Sequence, residues 1–155
     1  MTILLKNMRI NKAAKTDAQN IAEIEKRCFS HPRSCEEIKK ELGDKNFLYF
    51  VAKDEAENLI GYAGMTALLD EINITGIACT ENMRRCGVGS KILAFLKNYA
   101  NENGFKYIFL EVRKSNIAAI NLYVKAGFEK IGERKNFYDS PKEDAVLYKF
   151  EINGL

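Results

Sequence analysis

The chain has 155 residues, enough for one substantial hydrophobic core, and its 46% hydrophobic, 29% charged composition excludes a disordered or fibrous protein. Its 24 Lys and Arg against 21 Asp and Glu leave a net charge of +3, too small for a nucleic-acid footprint but compatible with anionic small molecules. No stretch approaches the ~20 apolar residues of a membrane span, the N-terminal MTILLKNMRINK lacks a leader's cleavage pattern, and no C-x-x-C pair occurs, which predicts a reduced, cytoplasmic protein without a membrane partner.

A first short strand is expected around Met8 to Lys12. Thr16-Asp17-Ala18-Gln19 has capping-box spacing and leads into Ile21, Ile24 and Cys28 at helical intervals. Ser34-Cys35-Glu36-Glu37 repeats the device before Ile38 and Leu42, and Gly43 ends that second helix. His31 lies between Cys28 and Cys35, but the spacing is wider than a zinc knuckle and no second ligand pair follows, so no metal is expected. FLYFVAK, LIGYAGMTALL and INITGIAC, separated by short polar connections, predict a three-strand meander.

From Gly89 the period changes to helical, with Ile92, Leu93, Leu96, Tyr99 and Ala100 on one face before Asn103-Gly104. YIFLEV returns to strand. Asn116 caps a helix bearing Ala119, Ile120, Tyr123 and Ala126, and two last strands follow around Glu129 to Arg134 and Ala145 to Ile152. The order β-αα-βββ-α-β-α-ββ, without repeats or linkers, predicts one mixed α/β domain over residues 1–155, with a central mixed twisted sheet and helices on both faces. The crossover between Ile74 and Val112 favours a parallel strand pair.

Two stretches carry chemistry. ACTENMRRCGVGSKIL, residues 78–93, sets two arginines and two glycines between a strand and a helix. Glycine permits positive φ and close backbone approach, and the free amides of a helix N-terminus attract an anion with about half a positive charge. A pyrophosphate would be held by backbone N–H groups, with Arg84, Arg85 or Lys91 assisting. A tight strand-to-helix turn with solvated arginines explains the residues equally well. The P-loop spacing and the third glycine of the dinucleotide fingerprint are absent. The second stretch is IFLEVRKSN, residues 108–116, where Glu111 stands between Leu110 and Val112 in a strand that reads as buried, a costly place for a charge. A salt bridge to Arg113 or to a lysine on the next strand is the structural explanation. For Tyr123 it is a core ring with its hydroxyl at the solvent edge.

Arg84-Arg85-Cys86-Gly87-Val88-Gly89, following a strand, resembles the R/Q-x-x-G-x-G/A motif of the GNAT superfamily of acetyl-CoA-dependent N-acetyltransferases. NIAAINLYVKAGFEKIGERKNFY, the later EDAVLY and the LEVRKSN strand and loop resemble its ribosomal-protein-alanine N-acetyltransferase branch, and the likeness spans nearly the whole chain. The resemblance implies that the backbone of Ile77, Ala78 and Cys79 runs beside the pantetheine of acetyl-CoA, and that Arg84, Arg85, Cys86, Gly87, Val88, Gly89 and Ser90 wrap its pyrophosphate. It implies that Asn116 also touches the cosubstrate, that Glu111 is the general base and that Tyr123 is the general acid. The expected acceptor is a protein N-terminus, most simply the N-terminal alanine of a ribosomal protein.

That chemistry suits the residue types. An α-amino group has a pKa of about 7.7 to 8.0 against about 10.4 for lysine, so a carboxylate acting through water can deprotonate it near neutrality. A phenol stays protonated there and can donate to a departing thiolate. The one histidine, His31, lies in a polar turn, so a Ser-His-Asp arrangement is not credible and direct transfer is expected over an acyl-enzyme. Two positions depart from the branch pattern: Arg33 stands where a Pro-Trp-Ser element has tryptophan, and Cys86 where a basic residue is usual. Arg33 reads as a solvated loop arginine without a catalytic role. Asn136, Phe137, Tyr138 and Asp144 fit a peptide groove or simple hairpin packing. A polyamine or antibiotic acetyltransferase and a noncatalytic acyl-CoA-binding module are the competing readings.

Overall fold

The computed structural model describes residues 7–153; the start of the N-terminal stretch read above as lacking a leader's cleavage pattern lies outside them. The elements are β1 (Arg9–Lys12), α1 (Ala18–Cys28), α2 (Cys35–Leu42), β2 (Phe47–Lys53), β3 (Leu59–Leu68), β4 (Glu71–Cys79), α3 (Val88–Glu102), β5 (Tyr107–Arg113), α4 (Ile117–Lys125), β6 (Glu129–Tyr138) and β7 (Glu143–Glu151). The strands form one seven-stranded sheet in the order β1-β2-β3-β4-β5-β7-β6. Every neighbouring pair is antiparallel except β4 with β5, the pair that the α3 crossover joins.

Alternation along the strands divides the core between the two faces. Tyr49, Val51 and Tyr62 turn toward α1 and α2, where they meet Ile21, Ile24 and Ile38. Phe50, Ala63, Ile72, Ile108 and Leu110 turn the other way, against Ile92, Leu93 and Leu96 of α3 and Tyr123 of α4. Each fully buried Leu or Ile contributes about 1.5–3 kcal/mol, so α3 is fixed chiefly by its apolar stripe.

The helix starts follow the expected caps with one exception. Ser34 Oγ accepts from the Glu37 N–H at 3.1 Å, and Asn116 Oδ1 accepts from the Ala119 N–H at 3.2 Å. The Thr16–Gln19 capping box does not form. A 3-10 turn over Lys15–Asp17 precedes α1 instead, and the buried Asp17 carboxylate accepts from the Ala14 N–H at 2.8 Å and pairs with Lys53 Nζ at 3.0 Å. A tertiary ion pair to β2 thus replaces the local device. β6 also runs on to Tyr138, beyond the expected end near Arg134. It is an edge strand whose charged, mostly exposed residues give no alternation to read.

Two irregularities open the middle of the sheet. β4 and β5 pair only from Glu71↔Tyr107 to Ile74↔Leu110, although both strands continue. Along β3 the register passes from Met65↔Ile74 to Gly64↔Gly76, leaving Thr75 as the extra residue of a β-bulge. A bulge bends its strand and increases the twist, so β4 leaves β5 at Thr75 and a cleft opens between Thr75–Cys79 and Glu111–Arg113.

Candidate active site

The cleft collects residues from several elements. Glu111 and Arg113 of β5, Ile77 of β4, Asn116 at the start of α4 and Tyr123 within it line one cavity of about 300 Å³. The side chains expected to act as base and acid are therefore brought to the same space. A broader groove of about 550 Å³ is lined by β4, β5, β6 and β7 and shares Ile74, Thr75, Leu110, Glu111 and Tyr138 with the cleft.

Glu111 is less buried than its sequence context implies. It projects from β5 opposite to Leu110 and Val112, and its side chain keeps 32% of its surface exposed. Its ion pair is with Arg134 of β6, Nη1 to Oε1 at 3.6 Å, and not with Arg113. Arg113 turns to the β6–β7 connection: it donates to the carbonyls of Asp139 and Pro141 at 2.8 Å, meets Glu143 at 3.3 Å and lies over the Tyr138 ring. It also reaches Ser30 Oγ at 3.1 Å, which with a His31–Asp139 contact joins the α1–α2 loop to the β6–β7 turn beside the cleft.

Tyr123 is 6% exposed, with its ring against Phe128 and Tyr148. Burial raises the pKa of its phenol, with the nearby Tyr138 adding to the effect, so the hydroxyl stays protonated at neutral pH. Burial likewise raises the Tyr138 hydroxyl, and the Glu111 carboxylate adds to the shift. The Cys79 thiol is also raised by burial, with Arg84 opposing, which leaves it a poor nucleophile.

On the other side of β4 the chain makes a turn suited to an anion. After a 3-10 turn over Glu81–Met83, Arg85 at φ 62° and Gly87 at φ 88° reverse the backbone into α3 at Val88. Gly87 is the position whose left-handed conformation favours glycine. Gly89 is a glycine for another reason: a Cβ there would stand 2.9 Å from Leu122 Cδ2, so its absence lets α4 pack on α3. The Val88 side chain is buried, leaving its amide as the group an anion can meet, whereas Ser90 is exposed. Arg84 turns toward α1, donating to Cys28 Sγ at 3.5 Å, and lines a separate groove with Cys79 and Thr80. The Cys86 thiol points to the Arg84 carbonyl at 3.4 Å. The left-handed turn into the start of α3, together with the length of β4 left unpaired by β5, fits a long ligand with a phosphate at one end and a hydrogen-bonding chain at the other.

Arg33 is not a solvated loop side chain. Its side chain is 20% exposed, its Nη1 donates to the Tyr49 hydroxyl at 2.5 Å and its Nη2 to the Thr75 carbonyl at 3.1 Å. Its own N–H donates to Glu25 Oε1 at 2.8 Å, and Tyr62 donates to the other oxygen of that buried carboxylate at 2.7 Å. Burial works against the charge of Arg33, but Glu25, Tyr49 and Glu41 more than offset it. One signal for this network was present: Glu25 follows Ile24 and lies four residues after Ile21, an inward position of α1. Of the four residues considered for a peptide groove, Phe137 and Tyr138 line it. The Asn136 N–H donates to Asp144 Oδ1 at 2.8 Å, which is hairpin packing.

The chain belongs to the acetyltransferase (GNAT) family, whose model matches residues 18–128. A [ribosomal protein bS18]-alanine N-acetyltransferase of Haemophilus influenzae is 33% identical over 142 residues, covering 89% of this chain and 94% of that protein. Its Escherichia coli counterpart is 30% identical over 146 residues, covering 93% and 97%. The crystal structure of the ribosomal-protein-S18-alanine N-acetyltransferase from Escherichia coli superimposes with a TM-score of 0.86 at 28% identity, over 94% of each chain. The mixed sheet with helices on both faces is the GNAT fold, and the family's acetyl donor is acetyl-CoA. Among the described residues no helix is long and apolar enough to cross a membrane, and no group of three or more His, Cys, Asp or Glu is placed to hold a metal.

Proposed function

We propose that this chain, as one catalytic domain over residues 1–155, transfers the acetyl group of acetyl-CoA directly to the N-terminal α-amine of a protein, with the N-terminal alanine of ribosomal protein bS18 as the acceptor. The observation that carries the reading is the convergence of Glu111 and Tyr123 on one cleft at the point where β4 leaves β5. The names of relatives that align over nearly the full chain support the choice of acceptor.

In this reading the amides of Gly87, Val88, Gly89 and Ser90 at the start of α3 hold the pyrophosphate, with Arg84, Arg85 and Cys86 around them. The unpaired edge of β4 at Ile77, Ala78 and Cys79 aligns the pantetheine and polarises the thioester carbonyl, and Asn116 borders it from α4. Glu111 accepts the ammonium proton through water, which leaves a neutral amine to attack. Tyr123, kept protonated by burial, hydrogen-bonds the developing thiolate and supplies its proton. The Cys79 thiol is raised by burial and Ser30 Oγ is taken up by Arg113, so neither side chain supports an acyl-enzyme route.

The test is to incubate the purified protein with acetyl-CoA and native ribosomal proteins and to locate added acetyl groups by mass spectrometry, with a parallel panel of polyamines and aminoglycosides. Acetylation confined to one protein N-terminus is expected. Turnover of the small amines alone would replace the acceptor, and no turnover with any amine would remove the catalytic reading.

A further inference from the structure

The Arg33 network touches the bulge that creates the cleft. Thr75 is the extra residue of β4, and β5 pairing stops one residue before it, so its carbonyl takes its hydrogen bond from Arg33 Nη2 at 3.1 Å. The same guanidinium donates through Nη1 to Tyr49 on β2, which in turn donates to Glu41 of α2 at 2.6 Å. Glu25 of α1 holds the Arg33 backbone at 2.8 Å and lies 3.7 Å from Nη1, and Glu41 lies 3.5 Å from it. Gly76 packs closely on this cluster: a Cβ there would stand 2.9 Å from the Tyr62 hydroxyl.

We propose that Arg33 is a positioning residue for acetyl transfer: its guanidinium clamps the Thr75 carbonyl to α1, α2 and β2, and so sets where the β4 edge at Gly76 and Ile77 stands relative to Glu111. Arg33 itself touches no reacting atom. Its planar fork suits the task because two separate nitrogens serve Tyr49 and Thr75 at once, whereas an ammonium is a single point drawn to the Glu25 and Glu41 carboxylates. Misplacing a reacting group by about 1 Å can cost on the order of 10²-fold in rate, which is the scale at stake if the bulge relaxes. The inference rests on acetyl transfer in this cleft and is independent of which amine is the acceptor.

The test compares Arg33→Lys and Arg33→Met in the full chain, using any amine the wild type accepts. Arg33→Met leaves the buried Glu25 without its cation and is expected to melt earlier. Arg33→Lys restores the charge, so its melting temperature should return close to wild type while kcat stays at least fivefold down and the KM for acetyl-CoA changes less than twofold. Hydrogen exchange reads the clamp without turnover: amides of residues 75–77 should exchange faster in Arg33→Lys, with residues 71–74 unchanged. A Lys variant whose kcat recovers to within fivefold of wild type, or whose exchange at 75–77 matches wild type, overturns the proposal. If the wild type acetylates nothing, the functional reading fails, while the exchange result still decides the clamp.

Discussion

Replacing Glu111 by Gln removes the proposed base and keeps the size and polarity of the side chain. The structural cost is small, because the Glu111–Arg134 pair spans 3.6 Å between side chains that are 32% and 56% exposed. Such a pair is worth less than about 1 kcal/mol, which moves the melting temperature of a domain this size by at most about 2–4 °C. The kinetic cost should be far larger. General-base catalysis typically contributes 10²–10⁴-fold, and the modest pKa of an α-amine places this case toward the lower end, about 10²-fold at pH 7. The loss should shrink as pH rises. With an amine pKa near 7.8, the neutral fraction climbs from roughly one part in seven at pH 7 to nearly all at pH 9, a gain of about sevenfold that needs no base. Initial rates of thiol release from acetyl-CoA with a peptide acceptor, measured from pH 6.5 to 9.5, should therefore rise more steeply for the variant than for wild type. A variant with kcat/KM within threefold of wild type at pH 7, or a defect that is constant across pH, would refute the role of Glu111.

Tyr123→Phe keeps the ring packing on Phe128 and Tyr148 and should melt with wild type while kcat falls at least tenfold; equal loss of stability and rate would mark the tyrosine as structural. Gly87→Ala forces a Cβ into the left-handed region at φ 88° and should destabilise the fold by about 1 kcal/mol and weaken acetyl-CoA binding in calorimetry, while Gly87→Asn, which tolerates that region, should lie closer to wild type. Glu133 is held down at about 2 by hydrogen bonds from Lys114 and Lys130. Its folded pKa is lowered, so the stability it lends is complete above the ordinary carboxylate value of about 4.3 and is lost as pH falls from there toward 2. Urea denaturation across that window should show a shallower acid-side decline in Lys114→Met than in wild type.

The parts of the fold built from local pattern were legible in the sequence, and the parts built from tertiary contact were not. Apolar periodicity located α3 because Ile92, Leu93 and Leu96 must bury a stripe, and apolar runs located the meander because β2 and β3 are buried along most of their length while β4 alternates. Ser34 and Asn116 announced their helices because a cap is chemistry between residues three apart. Thr16 failed because Asp17, one position on, had a stronger partner in Lys53 far along the chain. The left-handed turn before α3 was readable since Gly87 answers to its own φ, whereas the lack of a side chain at Gly89 answers to Leu122, a contact far along the chain. Arg33 was beyond reach: its partners Glu25, Tyr49, Glu41 and Thr75 come from four elements, and no local pattern in HPRS distinguishes a buried fork from a solvated one.

The arrangement of charge also explains how a chain of net charge +3 presents a cleft suited to an ammonium group. The cations near it are already engaged. Arg33 sits between Glu25 and Glu41, and Arg113 is taken up by Glu143, two carbonyls and the Tyr138 ring. Arg134, the partner of Glu111, is the exposed member of the set, and it leans toward the Phe137 ring. A more than half-exposed guanidinium holds its carboxylate weakly, so an arriving ammonium can exchange with it at little cost, and Glu71 farther along the groove adds to the attraction. In the proposed mechanism this leaves the Glu111 carboxylate free to meet the ammonium and take up its proton, and a neutral side chain there would lose both the attraction and the proton transfer.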